Sequence, residues 1–155
     1  MIAGKEKTCF GVTEPNAGLN TASITTKAER TSSGYVVHGQ KMWTTTAQRA
    51  NKILLLARTT PKEQCKRAFD GITLFYTYLD RNKVEIREIP KMGRKAVDTN
   101  ALFIDGLEVR DEDRIGEEGR GPPIRLRATR FHPKIREYTA VVPAPRAERN
   151  FKSRH

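Results

Sequence analysis

Apolar and polar positions alternate along this chain in short runs, and no stretch repeats at helical spacing. The run Ile53-Leu-Leu-Leu-Ala57 is the longest wholly apolar one, and it predicts a central buried strand over residues 50–59. Residues 71–79, Gly-Ile-Thr-Leu-Phe-Tyr-Thr-Tyr-Leu, alternate and are rich in β-formers, which predicts another strand. Val84, Ile86 and Glu88 share one face of the next, which Pro90 ends. Upstream, residues 21–30 suit a partly exposed strand, Thr31-Ser-Ser-Gly34 signals a turn, and Tyr35-Val-Val-His38 resumes the strand. Residues 22–38 therefore read as a hairpin that Gly39 ends. Downstream, residues 100–104 and 107–109 flank Asp105-Gly106, a turn or bulge signal.

The connections are equally legible. Residues 10–20 hold Gly11, Pro15, Gly18 and two asparagines and read as a loop. Residues 61–68 are charged and polar, residues 80–83 form a turn, and residues 110–121 are acidic, Gly-rich and irregular. The total is six or seven short strands, with no long amphipathic helix and no internal repeat. An all-β domain, an antiparallel β-barrel or sandwich, is expected.

Composition adds a second region. The net charge is +11, yet residues 1–121 hold 20 Lys and Arg against 16 Asp and Glu, whereas residues 122–155 hold 9 against 2. Five of the eight prolines also fall in 122–155, and neither strand nor helix period survives past Ile124, so this tail is expected to be disordered. A basic tail raises a nucleic-acid reading, in which a non-enzymatic barrel binds through residues 122–155. Against it, only Phe131, Tyr138 and Phe151 are aromatic there, too widely spaced for a stacking array. No apolar run approaches a membrane span. The N-terminus has no signal-peptide core, so secretion is not expected. Cys9 and Cys65 fit no zinc or redox spacing, and no histidine has a partner at metal-ligand spacing.

Two stretches carry candidate chemistry. One is Phe10-Gly-Val-Thr-Glu-Pro-Asn-Ala-Gly18, the other Gly39-Gln-Lys-Met-Trp-Thr-Thr-Thr-Ala47. Taken alone, Thr-Glu-Pro reads as a surface turn and Trp43 as a core anchor. Taken together, they offer what a redox flavin needs from a protein. Thr13 and Thr45 supply hydroxyls that donate and accept. Trp43, the only tryptophan, supplies a flat surface to cover a ring.

The first stretch resembles the first signature of the acyl-CoA dehydrogenases, and Gly39-Gln-Lys-Met-Trp-Thr-Thr follows at that family's interval. Lys91-Met-Gly-Arg-Lys-Ala-Val-Asp-Thr99 and Ile115-Gly-Glu-Glu-Gly-Arg-Gly121 resemble two later blocks in the same order. The resemblance covers residues 7–121 and implies the family's middle, FAD-binding β-barrel. It implies FAD contacts from Phe10, Val12, Thr13, Trp43, Thr44 and Thr45, with Thr13 at the pyrimidine side, Trp43 over the ring and Thr45 near its reactive nitrogen. Leu19 stands where the family has a serine that helps hold the acyl-CoA substrate, and it has no hydroxyl to donate. The reaction implied is α,β-dehydrogenation of an acyl-CoA thioester, with hydride transfer to FAD and electrons passed to an electron-transfer flavoprotein. Intact relatives are homo-oligomers with helical domains on both sides of the barrel, and 155 residues have room for neither. The catalytic residue is unassigned: Glu117 and Glu118 are present, but nothing in the pattern places either as the base. The change of character at Gly121 is what a frameshift, a retained intron or a truncated gene model would produce. The compartment implied is mitochondrial, peroxisomal or cytoplasmic.

Overall fold

The computed structural model describes residues 6–120. Eight strands form one sheet: β1 (Thr8–Gly11), β2 (Lys27–Arg30), β3 (Gly34–Thr45), β4 (Lys52–Arg58), β5 (Ile72–Tyr78), β6 (Val84–Glu88), β7 (Thr99–Arg110) and β8 (Arg114–Ile115). Their hydrogen-bonded order is β6-β7-β3-β2-β4-β5-β8, with β1 added beside β4. The all-β architecture is thus present, with most neighbours antiparallel. The β1–β4 pair is parallel, as is the single β2–β4 bridge between Lys27 and Arg58.

The sheet curls around one core. Cys9, Ala28, Tyr35, Val37, Ile53, Leu55, Ala57, Phe75, Val84, Leu102, Ile104, Leu107 and Val109 pack into it, so β1 to β7 all contribute. The rings of Tyr35 and Phe75 lie 4.9 Å apart, although β3 and β5 are not neighbours in the sheet. The apolar run of β4 follows from burial on both faces. Ile53, Leu55 and Ala57 face the main core, while Leu56 joins Ala17, Ile24 and Ile72 in a second cluster on the other face.

Three strand readings change. First, Phe10 and Gly11 belong to β1, because they pair with Leu54 and Leu55 rather than opening a loop. Gly11 permits this, since a Cβ there would lie 2.8 Å from Ile53 Cδ1. Second, Thr21–Ser23 is a 3-10 turn and not strand. Arg58 donates to the carbonyls of Ala22 (2.8 Å) and Ile24 (3.2 Å), which takes that segment out of any ladder. Third, Gly39 does not end the strand. β3 runs on to Thr45, and the glycine lets it pass Thr26, whose Cα would lie 2.7 Å from a Cβ at residue 39.

The Asp105-Gly106 signal resolves as a bulge inside one strand, β7, with Gly106 at φ 73°. A second irregularity falls on β3 between Lys41 and Thr44, where Met42 and Trp43 together oppose Ala101. The expectation of a disordered tail over 122–155, and the nucleic-acid reading built on it, lie outside the described residues.

Candidate functional site

The second bulge decides where Trp43 points. Extra residues in one strand break its alternation and re-aim a side chain. Trp43 takes φ 60°, a region that costs an L-residue about 1–2 kcal/mol, and its side chain stands 59% exposed. Thr46 is also left-handed, at φ 62°. The segment 43–46 is therefore strained at both ends, and such strain persists only where the surroundings over-determine it.

The surroundings do so here. Asn100, wholly buried, donates to the Thr44 carbonyl at 3.1 Å and accepts from Gln48 Nε2 at 3.1 Å. The Thr46 N–H bonds the Asp98 carbonyl, and the Gln48 N–H bonds Asp98 Oδ2 at 3.1 Å. Arg81 Nη2 gathers the carbonyls of Ala47, Gln48 and Ala50 at 2.8–3.1 Å. Burial lifts the Asp98 carboxyl, but the bonds from Asn100 and the Gln48 N–H outweigh it and hold it below its usual value.

The first stretch is bound to this segment directly. The Met42 N–H donates to the Thr13 carbonyl at 2.8 Å. Lys41 Nζ donates to the Val12 carbonyl at 3.3 Å and to Glu14 Oε1 at 2.8 Å. Three consecutive loop residues are thereby fixed to two consecutive residues of β3. Glu14 and Lys41 are both buried. Glu14 also accepts the N–H and hydroxyl of Thr25 on one oxygen and of Thr26 on the other, at 2.6–3.0 Å. Burial pushes the Glu14 carboxyl up, but the Lys41 ammonium and these bonds win, and its pKa falls to about 2. Burial pulls the Lys41 ammonium down, and Glu14 only partly restores it.

The sequence candidates fall into two groups. Thr13 and Trp43 are brought together, with Thr45 two residues further on at the surface. The hydroxyls of Thr13 and Thr45 have no hydrogen-bond partner among the described residues. Phe10, on the exposed side of β1, is 56% exposed. Val12 is half-buried and packs against the second apolar cluster. Thr44 faces inward; its hydroxyl is buried without a partner and its carbonyl is taken by Asn100. Leu19 is fully exposed. Lys91 is held by the Val97 carbonyl and the Thr99 hydroxyl. Glu117 pairs with Arg120, and Glu118 accepts from the Tyr35 hydroxyl at 2.7 Å.

Sequence reasoning missed Glu14, Lys41, Asn100 and Arg81. One signal was available. Tyr35, Val37 and Lys41 share the inward phase of one strand, and a lysine in that phase requires a buried acidic partner.

The family pattern described as "Acyl-CoA dehydrogenase, middle domain" matches residues 9–107. The chain belongs to this family. Part of the length of several acyl-CoA dehydrogenases matches as well. A mitochondrial 2-methylacyl-CoA dehydrogenase of Solanum tuberosum is 31% identical over 122 residues, covering 78% of this chain and 29% of that protein. Benzylmalonyl-CoA dehydrogenase of Aromatoleum aromaticum is 38% identical over 112 residues, covering 71% and 28%. Among solved structures, an acyl-CoA dehydrogenase from Geobacillus kaustophilus superposes with a TM-score of 0.72 at 34% identity, over 77% of this chain and 31% of that one. Butyryl-CoA dehydrogenase from Megasphaera elsdenii gives 0.70 at 29% identity, over the same shares. The chain thus spans less than a third of the length of these acyl-CoA dehydrogenases.

Proposed function

We propose that this barrel is the flavin-holding part of an acyl-CoA dehydrogenase, binding FAD on the surface that Thr13, Trp43 and Thr45 share. The observation that carries the reading is the Met42–Thr13 bond, which brings the two stretches side by side at the bulge that turns Trp43 outward. The residues fit a flavin. An exposed indole supplies a flat apolar cover, and two hydroxyls without partners among the described residues supply donors for a polar ring edge. Trp43 would stack on the ring, Thr45 and Thr13 would donate to its heteroatoms, and Phe10 and Val12 would flank it. Thr44 would act from beneath, as the inward-facing residue anchored by Asn100.

When bound, FAD would supply hydride acceptance from the β-carbon of an acyl-CoA thioester. The chain's own part is to bind and orient. Removal of the α-proton needs a free general base, and the nearby or candidate carboxylates are committed: Glu14 to five donors, Asp98 to Gln48 and Asn100, Glu117 to Arg120 and Glu118 to Tyr35. The base is therefore assigned to no described residue. Leu19, exposed and apolar, would meet the acyl-CoA without a hydrogen bond. An electron-transfer flavoprotein would reoxidise the flavin. An electron transferring flavoprotein of Acidaminococcus fermentans is among the similar solved structures, 28% identical with a TM-score of 0.69.

The test is a titration of the full chain with FAD, following flavin fluorescence and Trp43 emission. Saturable binding that weakens in Trp43→Ala and in Thr45→Ala is expected. A folded chain that leaves both signals unchanged would overturn the reading.

A further inference from the structure

Burying Glu14 and Lys41 is costly, and stability alone gives no reason to keep them. A buried ion pair is commonly no more stabilising than apolar residues of similar volume. Here both side chains are almost wholly buried, at 3% and 0% exposure. What the pair supplies is geometry. Lys41 Nζ holds the residues on either side of Thr13: the Val12 carbonyl at 3.3 Å and Glu14 Oε1 at 2.8 Å. Lys41 is also the last residue in register before the bulge, two positions ahead of Trp43. Glu14 in turn is seated by Thr25 and Thr26, which lead into β2. One ammonium thus ties the loop, through Glu14, to the segment ahead of β2 and to the strand whose bulge carries the indole.

We propose that Lys41 and Glu14 are positioning residues that set Thr13 and Trp43 relative to one another on the flavin-facing surface. The ligand in this inference rests on the flavin reading; the orientation of Trp43 does not. Apolar side chains would fill the same space, but they are non-directional and could not fix a carbonyl and a carboxylate at the same point.

The experiment uses the full chain and Glu14→Gln/Lys41→Met. This double variant removes the bridge from β3 to the loop, and the oxygen of the new amide still accepts from one of the two threonines. Trp43 is the only tryptophan, so its emission and its quenching by acrylamide report one site. The expected result is a folded protein with an altered Trp43 signature and a Kd for FAD raised about tenfold, the scale on which small misplacements act. Tyr35→Phe, a destabilising change in a different hydrogen-bond network, leaves the Trp43 signature unchanged. A folded double variant that matches the parent in Trp43 signature and FAD affinity overturns the proposal. If the double variant does not fold, Thr26→Val removes one donor from Glu14 and gives the same shifts in smaller measure; their absence makes the pair merely structural. If the parent binds no FAD, the flavin reading falls, and the Trp43 signature still decides the positioning claim.

Discussion

Acidification separates the contribution of Glu14 from the rest of the barrel. The perturbation is again Glu14→Gln/Lys41→Met, compared with the parent. The Glu14 carboxyl titrates at 4.5 in the unfolded chain and at about 2 in the folded one. A depressed folded value means that the native state binds the proton less readily, so the stabilisation is fully present above pH 4.5. It is lost as pH falls through about 2. At about 1.4 kcal/mol per pH unit, the difference is worth about 3 kcal/mol. That is the cost of neutralising Glu14 beside Lys41, not the net worth of the pair against apolar residues of similar volume. Lys41 acts with the same sign: its lowered ammonium also favours the folded state as pH rises. In the acid range, an ammonium beside a carboxylate is protonated in both states, so the acid limb belongs to Glu14. Asp98, also depressed, is present in both proteins and cancels. Urea unfolding at a series of pH values, followed by circular dichroism, gives the two stability curves. The parent is expected to lose about 3 kcal/mol more than the double variant on descending through this window. Parallel curves would refute the assignment of Glu14 as a buried, ionised group.

Three further outcomes are expected. Trp43→Gly relieves a left-handed backbone at φ 60° and removes a ring that is mostly exposed, so the unfolding free energy from urea titration stays level or rises by about 1 kcal/mol while FAD affinity falls. Gly39→Ala places a methyl within 2.6 Å of Thr26 Oγ1 and 2.7 Å of its Cα, and thermal unfolding should show a loss of about 1–3 kcal/mol. Tyr35→Phe deletes a hydroxyl bonded to Arg30 (2.5 Å), Arg114 (2.9 Å) and Glu118 (2.7 Å). It should cost about 1.5–3 kcal/mol and speed hydrogen exchange in residues 114–120.

Local pattern alone determined much of this protein. Alternation marked β4 to β6 to within a few residues, because half-buried strands must alternate and fully buried ones must be apolar. The motifs at 10–18 and 39–47 carried the family and the candidate residues Thr13, Trp43 and Thr45. Other features were decided only by contacts distant in sequence. Phe10 and Gly11 became strand because Leu54 and Leu55 lie beside them, and the stretch around residues 21–24 left the strand because Arg58 took the carbonyls of Ala22 and Ile24. Gly39, read locally as a stop, is a point of close approach to Thr26. The Glu14–Lys41 pair and the Asn100 and Arg81 anchors were hidden for the same reason. A charge on a strand is read as solvent-facing until its phase and its partner are known. The partner of Lys41 lies 27 residues away, across a loop whose path is set by tertiary packing. Likewise, the sequence pattern ended the strand before Trp43, whereas Trp43 lies in β3 and its outward aim comes from a bulge, a mismatch between two strands that no single strand can record.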